Sequence, residues 1–285
     1  VSLRAFWWTG GSVREGWNWL EDALSKAADQ PVELREKALE GIAFLTSCAG
    51  EYSAAAARLD EALGLARAAG DVAAIARVLG LVVNVVYLQG HPERCHEFAR
   101  EINAASHAGD PPNLYYALHC LGMAAYESGD QQAAVSYLND ARAFCERAGD
   151  QSGVAASLAC LSIVARRQAD SGRALSHIRQ ALYLARQRGI QVVVAWCTHA
   201  AVRVCAELAS PAVAARLLGA ADALAAANGL RTSPNQQALH ALVVGRVRAA
   251  LGDQAFAAAW ADGRALSADA TVDAVVSVLD SAVAS

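Results

Sequence analysis

The sequence predicts an all-α fold, and three observations indicate it. Alanine makes up nearly a quarter of the 285 residues, hydrophobic residues make up 55%, and proline occurs only 6 times. Alanine is the strongest helix former and proline the weakest, so this composition favours helices. Small residues recur every 39 or 40 residues, which is typical of stacked helical units. We therefore predict a right-handed α-solenoid of helix hairpins, with a period of about 40 residues and a helical C-terminal cap.

Two interleaved series of turn residues define this period. The first series ends the first helix of each hairpin and consists of Gly11, Gly50, Gly90, Gly129, Ala169 and Ala209. The second series ends the second helix and consists of Gly70, Gly109, Gly149, Gly189 and Gly229. Glycine suits these positions because it adopts the left-handed conformation that closes a last helical turn. Asp71, Asp110 and Asp150 each follow one of these glycines and are predicted N-caps of the next helix.

The two series place about six hairpins in residues 1–232 and leave 233–285 as a capping segment of the same solenoid. The hairpins are predicted over 1–29, 30–70, 71–109, 110–149, 150–189 and 190–229, and the tail helices over 233–251, 253–265 and 269–283. A single hairpin cannot bury its apolar stripe, whereas stacked neighbours can. The hairpins resemble tetratricopeptide repeats (TPR) but are longer than the usual ~34 residues.

Charge and hydropathy exclude several classes of protein. The formal charge of −4 leaves no positive footprint, so we expect no direct binding of nucleic acid. The longest apolar runs are shorter than the ~20 residues of a membrane span, so we expect no membrane partner. The 7 cysteines fall inside helical patterns, which is typical of a reducing cytoplasm. We therefore expect a cytoplasmic protein, and a chain without an initiator methionine is expected to be a piece of a longer one.

No catalytic signature is present in the sequence. Neither Lys26 nor Lys37 follows a Gly-x-x-x-x-Gly phosphate loop, and no Gly-x-Ser-x-Gly, Ser-x-x-Lys or His-Glu-x-x-His motif occurs. Pairs such as His91 and Cys95 offer two ligands where zinc needs three or four. We expect a chain that is not an enzyme and has no cofactor and no metal site. Chemistry through a Cys–His pair is the alternative.

The candidate binding surface is the concave face, which the first helix of each hairpin lines in a stacked array. The residue seven positions before each turn residue sets the register of the first helix. Counted from that residue, the positions predicted to face the groove carry aromatic and basic residues. Such residues anchor interfaces, and arginine clamps a carboxylate or phosphate with two donors. The expected occupant is a protein segment or a small anionic effector, unless these side chains simply pack between adjacent helices. The candidate groove residues are Arg77, Asn84, Tyr87, Tyr116, His119, Met123, Tyr126, Arg166, Trp196, His199 and Arg203.

Tryptophan is concentrated near the N-terminus, at Trp7, Trp8, Trp17 and Trp19. The cluster fits two roles. It could form the core of the first hairpin, or it could be a docking surface for a neighbouring domain, since exposed apolar patches mark interfaces.

Two stretches carry a resemblance to a known family. The opening FWWTGGSVREGWNWLEDAL (6–24) and the closing segments ARLLGAADALAAANG (215–229) and ALGDQAFAAAWADGRALSADATVDAVV (250–276) resemble the C-terminal helical repeat region of bacterial signal-transduction ATPase regulators. These are large transcriptional regulators of the LuxR and AfsR types, common in actinobacteria. Ala169 and Ala209 depart from the family by replacing the usual turn glycine.

The resemblance implies a division of labour within a longer protein. An ATPase module and a helix-turn-helix DNA-binding domain would be neighbouring partners, and the repeat region would receive an effector or partner and control the switch. No ATPase or DNA-binding motif lies in this chain. We therefore expect a non-catalytic sensor or scaffold region. The alternative is a self-association scaffold that forms a homo-oligomer through the tryptophan cluster or the tail helices.

Overall fold

The computed structural model describes residues 7, 12–26, 31–99, 101–102, 113–189, 191–206, 209–228 and 234–283. These residues form fourteen α-helices and no strand, which confirms the all-α prediction. The chain divides into two compact units, 1–130 and 131–285. The boundary drawn from the sequence, between 232 and 233, lies inside the second unit.

In the first unit, helices that follow one another in the chain pack together. The unit contains α1 (Val13–Ser25), α2 (Val32–Cys48), α3 (Tyr52–Ala69), α4 (Val72–Leu88), α5 (Pro92–Cys95), a 3₁₀ turn (His96–Phe98) and α6 (Leu114–Ser128). Helix α2 packs on α1, α3 and α4, and α4 packs in turn on α6. The long helices α2, α4 and α6, which alternate with other helices along the chain, are therefore in contact in that order. The helix after Pro92 is only one turn long before it tightens into the 3₁₀ turn.

The second unit contains the remaining helices. They are α7 (Gln131–Ala148), α8 (Gln151–Arg167), α9 (Ser171–Arg188), α10 (Gln191–Cys205), α11 (Pro211–Ala227), α12 (Pro234–Leu251), α13 (Asp253–Arg264) and α14 (Ala268–Val283). Helix α8 contacts α7, α9 and α10, while α14 returns to pack on α9, α10 and α11. The three tail helices begin and end within one residue of their predicted bounds.

Four turn residues of the first series, Gly50, Gly90, Gly129 and Ala169, behave as their spacing predicts. Gly50, Gly90 and Gly129 have φ of 84°, 88° and 90°, in the left-handed region that closes a helix. Ala169 adopts the same conformation, with φ of 60°, although it carries a Cβ. Its neighbour completes the cap, since Asp170 N donates to Ala165 O at 3.0 Å. The period therefore reflects a backbone requirement that is met even without glycine.

Aspartates after these turns cap the following helices as predicted. Asp71 Oδ1 accepts from Ala74 N at 2.9 Å, and Asp150 Oδ1 accepts from Gly153 N at 3.1 Å. Asp110 lies outside the described residues. The caps satisfy backbone donors that the first helical turn leaves without partners.

Side-chain hydrogen bonds in the first unit join helices that lie one period apart. Arg77 Nε donates to Glu40 Oε1 at 2.7 Å, and Tyr87 Oη donates to Glu127 Oε1 at 2.7 Å. The paired residues are 37 and 40 positions apart in the chain. Polar groups therefore pair α2 with α4, and α4 with α6. Separately, none of the described helices is long and apolar enough to cross a membrane.

Candidate functional site

Arg77 lies at the centre of a buried polar group in the first unit, which we call the Arg77 cluster (Glu36, Glu40, Arg77 and Asn113). Glu36 and Glu40 face α4 from successive turns of α2 and are only 3% and 5% exposed. The Arg77 guanidinium donates to Glu40 Oε1 through Nε and to Glu36 through Nη2. Burial opposes the charge of Arg77, but the hydrogen bond to Glu40 and the two carboxylates outweigh it and raise its pKa.

Asn113 completes this cluster from the start of α6. Its Nδ2 donates to Arg77 O at 3.2 Å and to Glu40 Oε2 at 3.4 Å. Asn113 itself has φ of 75°, a left-handed conformation that asparagine tolerates better than most residues. A Cβ at Gly80 would overlap the Asn113 backbone, so glycine lets α4 and Asn113 approach. The predicted groove residue Arg77 therefore ties three helices together.

The other predicted groove residues of this unit divide by burial. Met123 is fully buried, and Tyr87 and Tyr126 are buried apart from a small fraction of their surface. Asn84 remains partly exposed, and its Nδ2 lies 3.5 Å from Cys120 Sγ. Three of the predicted positions thus pack inside the unit, because α4 and α6 are enclosed by neighbours on most sides.

An aromatic group surrounds His119 on α6. Tyr116 packs against Phe44 with ring centroids 6.1 Å apart, and against Tyr115 in an edge-on contact. Tyr115 Oη lies 3.4 Å from His119 Nδ1. Burial lowers the pKa of His119 to about 4, so the imidazole is neutral at physiological pH. His119 can offer a lone pair or a single N–H here, but it cannot serve as a cation.

The tryptophan cluster splits into distinct environments. Trp7 packs on Gly16, where a Cβ would collide with the indole ring. Trp17 Nε1 donates to Glu21 Oε1 at 3.2 Å, and Glu21 forms an ion pair with Arg58. Trp19 instead points outward and is 68% exposed. Trp8 lies outside the described residues.

In the second unit, α8 and α10 carry the four remaining groove residues, and all four are partly exposed. Arg166 Nη1 donates to Ser171 Oγ at 3.1 Å, while Trp196, His199 and Arg203 lie on successive turns of α10. Helices α8 and α10 are in contact. This unit therefore presents an aromatic and basic set on adjacent helices, with part of each side chain accessible.

His199 belongs to a group that the sequence did not reveal, which we call the His199 cluster (His199, Asp222, His240 and Trp260). His240 Nε2 lies 3.0 Å from Asp222 Oδ1, and Trp260 Nε1 donates to Asp222 Oδ2 at 3.2 Å. The rings of His199 and His240 stack with centroids 4.8 Å apart and planes inclined by 30°. Helices α10, α11, α12 and α13 each supply one member.

Electrostatics set the charge states of this cluster. Burial, the nearby His240 and the charge of Arg203 together lower the pKa of His199 to about 4, against the opposing effect of Asp222. Burial raises the pKa of Asp222, but the hydrogen bonds and charge of His240 and the bond from Trp260 outweigh this and lower it. At neutral pH the site therefore holds an ionised carboxylate beside a neutral His199.

A close helix crossing brings Asp222 and Trp260 together. A Cβ at Gly219 would overlap the Trp260 carbonyl oxygen, and a Cβ at Gly263 would overlap the Arg216 carbonyl oxygen. The two glycines therefore allow α11 and α13 to cross almost backbone to backbone. Asp222 follows Gly219 by one turn, so its carboxylate reaches the Trp260 indole.

Several side chains of the two clusters could not be predicted from the sequence. Asp222, His240 and Trp260 are 18 or more residues from their nearest neighbour in the cluster, and no local motif links them. Glu36 and Asn113 were missed because their positions fall outside the register used for the groove. The pair Gly219 and Gly263, each inside a helical pattern, was the available signal for a close crossing.

Comparison with solved structures gives a likeness in fold. No family model and no curated protein matches this chain. A solved structure, titled as the crystal structure of BtubC (BKLC) from P. vanneervenii, matches with a TM-score of 0.54. The match covers 85% of this chain and 93% of that chain at 15% sequence identity. At this identity the likeness extends to the fold alone.

Proposed function

We propose that this chain is a non-catalytic, TPR-like sensor region that binds a partner or effector within a larger cytoplasmic transcriptional regulator of the LuxR or AfsR type. The observation that carries the proposal is the partly exposed aromatic and basic set on α8 and α10. Trp196 and the arginines Arg166 and Arg203 keep accessible surface on helices that are otherwise largely buried. Arginine and tryptophan are the residue types that dominate binding energy at interfaces.

The repeat architecture is part of the same proposal. Left-handed turns at Gly50, Gly90, Gly129 and Ala169 lie 39 or 40 residues apart, as a stack of like hairpins requires. Hydrogen bonds between α2 and α4, and between α4 and α6, span similar separations. Both observations support a TPR-like array, in which neighbouring repeats hold one another in place. The link to regulators rests on the resemblance of the two chain ends.

A ligand screen on the full chain tests the binding role. Peptides, nucleotides and sugars are screened by thermal shift, and hits are measured by calorimetry. For a hit we expect Trp196→Ala and Arg203→Gln each to weaken binding by ~10-fold or more, as interface anchors do. Arg188→Gln, on the exposed side of α9, is the control and should leave the affinity unchanged.

Two results together would refute the proposed binding role. One is a screen without any ligand that raises the melting temperature. The other is a parent regulator whose control of transcription is unaltered by Trp196→Ala and Arg203→Gln. If the Arg188→Gln control weakened binding as much as Arg203→Gln, the site would be placed wrongly.

A second candidate function is self-association through the N-terminal region. Trp19 is 68% exposed, and on α2 the side chains of Val32 and Leu34 are 42% and 54% exposed. Light scattering over a range of concentrations distinguishes the two functions. Trp19→Ala should reduce any oligomer, whereas Tyr183→Ala, at an exposed aromatic in the second unit, should not. A monomer at every concentration excludes the scaffold.

A further inference from the structure

We propose that His199, Asp222 and His240 form a binding site for a divalent transition-metal ion such as Zn²⁺. One possible ligand atom from each residue lies within 4.8 Å of the other two. Two imidazoles and one carboxylate are a common protein ligand set for zinc, which leaves a fourth position for water or a ligand. The site is additional to the proposed sensor function and does not depend on it.

The distances between the three possible ligand atoms are close to those found around a coordinated zinc ion. Zinc bonds of ~2.0–2.1 Å in a tetrahedron keep neighbouring ligand atoms ~3.3 Å apart. Asp222 Oδ1 and His240 Nε2 are already 3.0 Å apart. The widest pair needs to close by ~1.5 Å, a movement within reach of a side-chain rotation about the Cα–Cβ and Cβ–Cγ bonds.

A hydrogen bond to its second oxygen orients the Asp222 carboxylate, as is common for carboxylates that bind metals. Trp260 Nε1 donates to Asp222 Oδ2, while the other oxygen, Oδ1, lies 3.0 Å from His240 Nε2. Such second contacts fix the orientation of a ligand and are part of most metal sites. The close crossing at Gly219 holds Trp260 in place for this role.

The histidines are available as ligands. His240 Nδ1 is closed to solvent and has no hydrogen-bond partner, while Nε2 lies beside the carboxylate, so either nitrogen can bind an ion. The His199 ring stacks on the His240 ring with centroids 4.8 Å apart, which places its nitrogens beside the other two ligands. The charge of Arg203 opposes a cation near His199, and the charge of Asp222 favours it.

The site also has a route for an ion to enter. The side chains of His240 and Asp222 are 19% and 26% exposed, so the cluster is largely buried but still reachable from solvent. A site with three protein ligands and access to solvent accepts a fourth ligand from solution. The sequence-based expectation of no metal site considered only residues close in the chain, and this proposal replaces it.

Calorimetric titration of the full chain with Zn²⁺ tests the proposal. We expect one high-affinity equivalent per chain, an increase in melting temperature, and reversal of both effects by EDTA. Asp222→Asn preserves an oxygen for Trp260 and removes the charge, so it should fold and weaken Zn²⁺ binding by at least ~10-fold. His240→Gln and His199→Gln should weaken it by a similar factor. The double variant His91→Gln/His96→Gln removes two exposed imidazoles of the first unit and should leave the affinity unchanged.

Cobalt substitution identifies the ligand atoms independently of any variant. Co²⁺ bound here should show the visible bands of a nitrogen and oxygen site without a thiolate-to-metal charge-transfer band. This separates the site from the cysteines, several of which resist ionisation because burial raises the pKa of thiols such as Cys205 to about 12. Binding that survives Asp222→Asn, or a thiolate band, overturns the proposal. So does the absence of any high-affinity equivalent in the unmodified chain.

Discussion

Replacing Arg77 with methionine should destabilise the first unit severely. Methionine keeps most of the aliphatic stem but removes the guanidinium that donates to both Glu36 and Glu40. Both glutamates are buried, so water cannot readily replace the lost donors. Removing one partner of a buried ion pair costs about 3–5 kcal/mol, and here one removal affects two carboxylates. We therefore expect a loss of at least ~3 kcal/mol in the free energy of unfolding.

The measurement is urea unfolding followed by circular dichroism, with hydrogen exchange of α2 and α4 peptides to assign the change to this unit. The matched control is Arg67→Met, which removes the ion pair of Arg67 with Glu101, whose side chains are 53% and 43% exposed. Exposed pairs contribute about 0–1 kcal/mol, so the control should lose less than ~1 kcal/mol. The triple variant Arg77→Met/Glu36→Gln/Glu40→Gln should recover more than half of the loss, because neutral amides are less costly to bury. Equal losses in the single variant and the control would refute the reasoning.

Three further predictions concern backbone and charge. Gly219→Ala should destabilise the second unit by ~1–3 kcal/mol in the same urea assay, because the added Cβ overlaps a neighbouring backbone. Gly245 lies in a helix with open space around it, so Gly245→Ala should instead stabilise the unit by ~0.5–1 kcal/mol. Ala169→Gly should raise the free energy of unfolding by ~1 kcal/mol, because it removes a Cβ from a left-handed backbone position. Gly149→Ala, which adds a Cβ at φ of 69° with no neighbour within 4 Å, should lower it by a similar ~1 kcal/mol. No change in either variant would contradict this reasoning. His119 has a folded-state pKa of about 4 against an ordinary 6.5, so the unfolded chain binds a proton first and stability should fall as the pH drops from 6.5 to 4. His119→Gln should flatten that part of the pH profile of urea midpoints, and an unchanged slope would exclude His119 as its source.

Local features of the fold were predictable from the sequence because their causes are local. Helices follow from alanine content and apolar spacing, and their ends follow from turn residues such as Gly129 and N-caps such as Asp71. Ala169 shows that spacing predicts better than residue type, since an alanine takes the glycine conformation at the expected place.

The candidate site was only partly predictable. The register selects Arg77 and His199, each of which lies in a polar cluster, but it gives no information about their partners. It also selects Met123, which is fully buried because α6 is enclosed by neighbouring helices. Burial depends on which helices surround a position, and a period read along one chain does not contain that information.

The amino-acid sequence by itself determined that this protein is helical, where its helices end, and that they recur about every 40 residues, because each of these depends on a few neighbouring residues. Only the tertiary structure decided which distant side chains meet. His199, Asp222 and His240 come from three helices, and they converge because α11 and α13 cross closely at Gly219. The physical reason is that contacts between distant residues arise from packing of whole helices, and packing depends on the shape of all the surfaces that meet.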